Sequence, residues 1–159
     1  MSDVNIAQAT RPRVLVADPD PETTALLARA LEWAGYEVST ASNGQEALEL
    51  IARLRPTATV LEAKMELING YEVVRQVREA GHRRPILMIS ARAGKLDRDF
   101  AFTVGCDDYV KKPFHSSELV ARLALLAPTA ETKARPQPKP QPAPRPLRRR
   151  PARVPAFAR

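Results

Sequence analysis

The chain has 159 residues, of which 27% are charged and 44% hydrophobic, and carries a formal net charge of +7. That charge is unevenly placed: residues 128–159 hold nine of the 25 Lys and Arg and one of the 18 Asp and Glu, so the tail is +8 and residues 1–127 are −1. A single cysteine, Cys106, excludes an internal disulfide, and no apolar run approaches the roughly 20 residues a membrane helix needs.

After a short polar arm, residues 1–12, Arg13–Ala17 (RVLVA) is an unbroken apolar run ending in Asp18, the pattern of a strand buried on both faces. The arm lacks the charged-then-apolar layout of a signal peptide, so a cytoplasmic protein is the expectation. Pro21 and Glu22 open a helix with Asp20 as N-cap, and Leu26, Leu27, Ala30, Leu31 and Ala34 recur at helical spacing up to Gly35. Residues 36–41 (YEVSTA) alternate as a strand nearer an edge does. Ser42 with Gln45 three residues on matches a capping box ahead of Ala47, Leu48, Ile51 and Leu54, a helix that Pro56 closes.

Residues 59–61 suit a third buried strand, which Glu62 interrupts. Beyond Gly70, a helix carries Val73, Val74 and Val77 and stops near Gly81. Residues 85–90 (PILMIS) form a fourth strand, and a fourth helix ends at Val104 before Gly105. Cys106 in this stretch reads as a small packing residue. Asp108–Lys111 is a short fifth strand; after the break at Lys112-Pro113, Leu119, Val120, Leu123 and Leu126 make the apolar stripe of a last helix.

Five strands alternating with five helices predict an α/β fold with a parallel sheet, its helices placed alternately above and below by right-handed crossovers. Ligands in such folds bind outside the carboxyl ends of the strands. Asp18, Glu62, Ser90 and Lys112 all fall there. Taken singly, Asp18 reads as a turn acceptor, Ser90 as a helix cap and Lys112 as a solvated side chain. Together, two carboxylates, a hydroxyl and an ammonium converge on one cleft. A lone buried carboxylate is costly, so Glu62 is expected at the exposed end of its strand, pointing into that cleft.

With RVLVADPDPET, AGYEVSTASNGQEALEL, INGYEVVRQVR, ILMISAR and GCDDYVKKPFHSSELVARL in order and at the right spacing, the chain resembles the receiver domain of bacterial response regulators. The resemblance covers roughly residues 13–127 and implies a flavodoxin-like, three-layer (βα)5 signalling domain rather than an enzyme. In that family an Asp ending strand three accepts a phosphoryl group from a partner histidine kinase. An acidic pair after strand one helps hold Mg²⁺, a strand-four hydroxyl and a strand-five Lys engage the phosphoryl oxygens, and a strand-five aromatic moves with the switch. The resemblance therefore assigns Ser90 as the hydroxyl, Lys112 as the lysine, Tyr109 as the aromatic and Asp18 as the first of the acidic pair.

Two positions depart from the pattern. Pro19 replaces the second acid, and Glu62 stands where the acceptor Asp is expected, eight residues before Gly70; Glu66 replaces the usual Pro of that loop. Mg²⁺ demands near-octahedral oxygen ligation, and proline offers no side-chain oxygen. Misplacing a reacting group by about 1 Å costs roughly a hundredfold, and Glu is one carbon longer than Asp. The expectation is weak or absent Mg²⁺ binding and no phosphorylation of the usual kind, with Asp20 the one candidate to replace the lost ligand. The longer Glu62 side chain could itself reach Lys112 and Ser90, biasing the switch partway; a drifted, solvated Glu62 without consequence remains equally open.

Residues 128–159 hold nine of the 15 prolines, and PQPKPQPAPRP (residues 136–146) alternates proline too strictly for helix or sheet, so a disordered tail of polyproline II character is expected. Arg148, Arg149, Arg150 and Arg153 form a basic cluster with no folded DNA-reading domain before it. Two functions stand open. One is a stand-alone receiver in two-component signalling, acting by contact with a histidine kinase or another signalling protein, with a homodimer also open. The other is a nucleic-acid-associated regulatory protein whose tail binds phosphates of nucleic acid or an anionic surface, with the receiver as regulatory or dimerising part. PKPQPAPRP could also dock in an aromatic-lined groove, and a merely solvated tail is a third reading.

Overall fold

A computed structural model of the chain describes residues 10–92 and 94–129. The order is β1 (Arg13–Ala17), α1 (Pro21–Trp33), β2 (Glu37–Ala41), α2 (Gly44–Leu54), β3 (Ala58–Glu62), α3 (Gly70–Glu79), β4 (Ile86–Ser90), α4 (Lys95–Val104), β5 (Asp108–Lys111) and α5 (Ser116–Leu126). All strand pairs are parallel and the sheet order is β2-β1-β3-β4-β5. The five-stranded α/β architecture is the predicted one, and β2, the strand that alternates, is an edge strand.

Successive side chains of each strand enter opposite cores. Val14, Val16, Val60, Leu87 and Ile89 pack with Leu27 and Leu31 of α1 and Leu119 and Leu123 of α5. Leu15, Ala17, Leu61 and Met88 pack with helical residues of α2, α3 and α4, among them Ile51, Val74 and Ala101. The helices thus do not alternate between faces, which corrects the sequence expectation. With right-handed crossovers, the face reverses only where the chain reverses its direction of travel across the sheet. It moves from β1 outward to β2, then back past β1 to β3, β4 and β5, so α2, α3 and α4 share a face and α5 returns to cover α1's side. The reversal opens a crevice between the carboxyl ends of β1 and β3.

Asp20 caps α1, accepting from the N–H groups of Glu22 (3.1 Å) and Thr23 (3.2 Å). The capping box of α2 is shifted one residue from the predicted Ser42/Gln45 pair. Asn43 Oδ1 accepts from Glu46 N–H at 2.8 Å, and Glu46 reaches back to the N–H and hydroxyl of Ser42, each at 3.0 Å. Asn caps as well as Ser and has an acid at the required third position, so it wins the competition. Tyr36 precedes β2 rather than opening it. It is buried, and its hydroxyl donates to the Ala127 carbonyl at 2.6 Å. Cys106 is buried beside the α4 core, and burial, then Asp107 and Asp108, push its thiol up to about 12.

The α2 start lies so close to the loop before α3 that a Cβ on Gly44 would stand 1.8 Å from the Ile68 carbonyl oxygen. That neighbour is backbone and cannot rotate away. Gly44→Ala is therefore expected to lower stability by about 2 kcal/mol through overpacking, measured by urea denaturation. An unchanged midpoint would mean that the loop yields.

Candidate functional site

The four strand-end residues line one cleft of about 630 Å³, with Asp20, Lys64, Tyr71 and Arg92 on its rim. Asp18 follows β1, Glu62 ends β3, Ser90 ends β4 and Lys112 follows β5. Parallel pairing in register brings these ends together, with Ala17 opposite Leu61, Glu62 opposite Ile89 and Ser90 opposite Lys111.

Lys112 is the centre of the cleft. Its ammonium contacts Asp18 Oδ2 at 2.7 Å and also ion-pairs with Glu62 Oε2. The other oxygen of each carboxylate is held by a backbone donor two residues on: Asp18 Oδ1 accepts from Asp20 N–H (2.8 Å), and Glu62 Oε1 from Lys64 N–H (3.0 Å). All four carboxylate oxygens thus have a donor. Glu62 is only 5% exposed, so it closes its strand inside the protein rather than at an exposed end, and this pairing is what makes the burial tolerable. Burial by itself pulls the Lys112 ammonium down, and its hydrogen bonds to Asp18 and Glu62 more than reverse this, leaving its pKa above the ordinary 10.5.

Ser90 Oγ accepts from Arg92 N–H at 3.1 Å, while the Ser90 carbonyl takes Lys112 N–H at 2.8 Å. Of the two contacts open to the longer Glu62 side chain, the structure has the one to Lys112. Asp20 lies at the cleft, but its carboxylate is engaged with Glu22 and Thr23 of α1; the Thr23 hydroxyl is at 2.6 Å and is the largest cause of its lowered pKa. Tyr109 is buried in the α3–α4 core and its hydroxyl donates to the Arg92 carbonyl. Burial, then the Tyr109 hydroxyl, pushes the Tyr71 phenol up, and the Tyr71 ring lies 5.1 Å from that of Phe100. Lys64 and Arg92 escaped the sequence reading because they act through backbone groups; their only signal is a position two residues after Glu62 and after Ser90. Arg148, Arg149, Arg150 and Arg153 lie outside the described residues.

A family model for the response regulator receiver domain matches residues 14–124. The chain belongs to this family. Two of the relatives are response regulators MprA. That of Mycolicibacterium vanbaalenii is 44% identical over 114 residues, 72% of this chain and 49% of that protein. That of Mycobacterium leprae is 43% identical over 114 residues, 72% of this chain and 50% of that protein. The chain spans about half the length of these relatives. Among solved structures, the receiver domain of Francisella response regulator 1452 matches with a TM-score of 0.71 at 29% identity, covering 73% of this chain and 96% of that one. Vibrio cholerae chemotaxis protein CheY4 matches with 0.70 at 28%, covering 74% and 99%.

Within this receiver, the strand-three carboxylate, the strand-one acid and the strand-five lysine form one closed ion cluster. Among the described residues no helix is long and apolar enough to cross a membrane, and no group of three or more His, Cys, Asp or Glu side chains is placed to hold a metal ion.

Proposed function

We propose that this receiver acts in two-component signalling through protein contact, without the phosphoryl transfer that its relatives' fold was built to carry. A single observation supports this most: the Lys112 ammonium bound by both Asp18 and Glu62. Phosphoryl transfer needs a carboxylate oxygen free to attack in line and cations that neutralise the developing charge. Here both Glu62 oxygens are engaged and the one cation at hand is committed to two carboxylates.

The residues fit Mg²⁺ poorly. Pro19 offers no oxygen, Asp20 is spent on the α1 cap, and a second cation would have to compete with Lys112 for Asp18 and Glu62. Glu62 supplies Lys112 with a standing anion where a receiver of the usual kind acquires one only on phosphorylation, so the switch is held in one state. The partner is a histidine kinase or another signalling protein, met as a surface in the cytoplasm and not as a phosphoryl donor.

Magnesium titration of the ¹⁵N-labelled chain tests the metal half of this reading. The amides of Asp18, Asp20 and Lys64 should show no saturable shift at millimolar Mg²⁺. A saturable shift confined to those amides would overturn it.

A further inference from the structure

The first helix presents an apolar stripe to solvent. Glu22, Leu26, Arg29, Ala30 and Trp33 recur at helical spacing and line a shallow groove of about 680 Å³ on α1. Leu26 is 54% exposed and Trp33 95% exposed. A tryptophan so exposed next to an exposed leucine needs a cover. The chain supplies one close by. Thr129, the last described residue, is buried against Gly35, its Cγ2 3.7 Å from where a Gly35 Cβ would stand, so the tail leaves the fold two residues from Trp33.

We propose that residues 136–146, PQPKPQPAPRP, which lie outside the described residues, dock in cis along this α1 face. Length permits it. Six residues, 130–135, reach up to about 20 Å from Thr129, ample to bring the segment onto Trp33. At about 3.1 Å per residue in a polyproline helix, the segment extends roughly 34 Å, against about 17 Å from Trp33 to Glu22 along α1. The chemistry matches as well. Proline rings stack on an exposed indole, and the preformed polyproline conformation keeps the ordering cost small.

The charges fall in step. Lys139 and Arg145, about 19 Å apart in such a helix, face Glu32 and Glu22, about 15 Å apart on α1, a difference their long side chains absorb. Arg29 is the one cation of the face, so ion pairing assists a contact that Trp33 carries. Tethering favours this occupant over a second copy, since a short linker holds the segment at an effective concentration near millimolar. The docked tail is then withheld from any aromatic-lined groove of another protein.

The test uses the full chain with a nitroxide attached at Ala143→Cys, the buried Cys106 being left unlabelled. Paramagnetic broadening of the Trp33 indole N–H and the Leu26 methyl groups is expected to exceed that of Leu96, on α4 across the sheet, at least fivefold. Trp33→Ala, at a position too exposed to threaten folding, should abolish the preference at Leu26. Equal broadening at all three sites would overturn the proposal. So would broadening that appears only when spin-labelled and isotope-labelled copies are mixed, which would make a second chain the occupant.

Discussion

Lys112→Met should cost this protein about 3–5 kcal/mol at neutral pH, because it leaves Asp18 and Glu62, 2% and 5% exposed, facing each other without a cation. The Lys112 side chain is 24% exposed, so water entering the vacated space moves the expected value toward the lower end of that range. Two companions separate lost charge from lost packing. Glu62→Gln added to Lys112→Met removes one of the stranded charges and should recover a large part of the deficit, and the deficit of Lys112→Met alone should shrink in acid as the carboxylates protonate. The alkaline side carries the opposite sign. Because the folded pKa of Lys112 stands above 10.5, its contribution is fully present below that pH and is lost as pH rises through the folded value. Wild type should therefore lose more stability than Lys112→Met on going into strong alkali. Urea denaturation at several pH values reads all of this, and a Lys112→Met chain as stable as wild type would show that the carboxylates are already solvated.

The second large effect is a gain of chemistry. Pro19→Asp combined with Glu62→Asp should make the chain form a stable acyl phosphate with acetyl phosphate and Mg²⁺, detectable as one added phosphoryl group by intact-mass spectrometry. The first change returns a metal oxygen beside Asp18. The second shortens the acceptor by one carbon, which draws it out of the closed cluster and back to the family's geometry. Glu62→Asp alone should stay unmodified, since Pro19 still withholds its ligand. Lys112→Ala in the double background should lose the modification, because a cation aimed at the transferred oxygens supplies much of the stabilisation in such reactions. A folded double variant that stays unmodified would mean that the loops after β1 and β3 differ from the family in more than these two side chains.

Much of the fold was legible because strands buried on both faces read as unbroken apolar runs. RVLVA and ILMIS are such runs, and β4 is buried at every position. Edge strand β2 alternates because it is half exposed. The allocation of helices to faces was less legible, since it depends on the order in which strands join the sheet and not on any local pattern. Local competition hid the α2 cap, where Ser42 and Asn43 are both good caps and Glu46 decides between them.

In the cleft, the residues at the strand ends could be picked out because polar residues interrupt apolar runs there. What they touch could not. The donors to Glu62 and Asp18 other than Lys112 are backbone N–H groups, which leave no mark in a sequence, and the depth of Glu62 follows from those donors. The sharing of Lys112 between two carboxylates is a property of distances across three strands, visible only once the strands are placed side by side.

The central claim is that Glu62, closed into an ion cluster with Lys112 and Asp18, does not take a phosphoryl group. Intact-mass spectrometry of the wild-type full chain after incubation with acetyl phosphate or phosphoramidate and Mg²⁺ reads this directly. The expected result is an unchanged mass under conditions that modify the Pro19→Asp, Glu62→Asp chain. A stable phosphoryl group on wild type, mapped to Glu62, would contradict it.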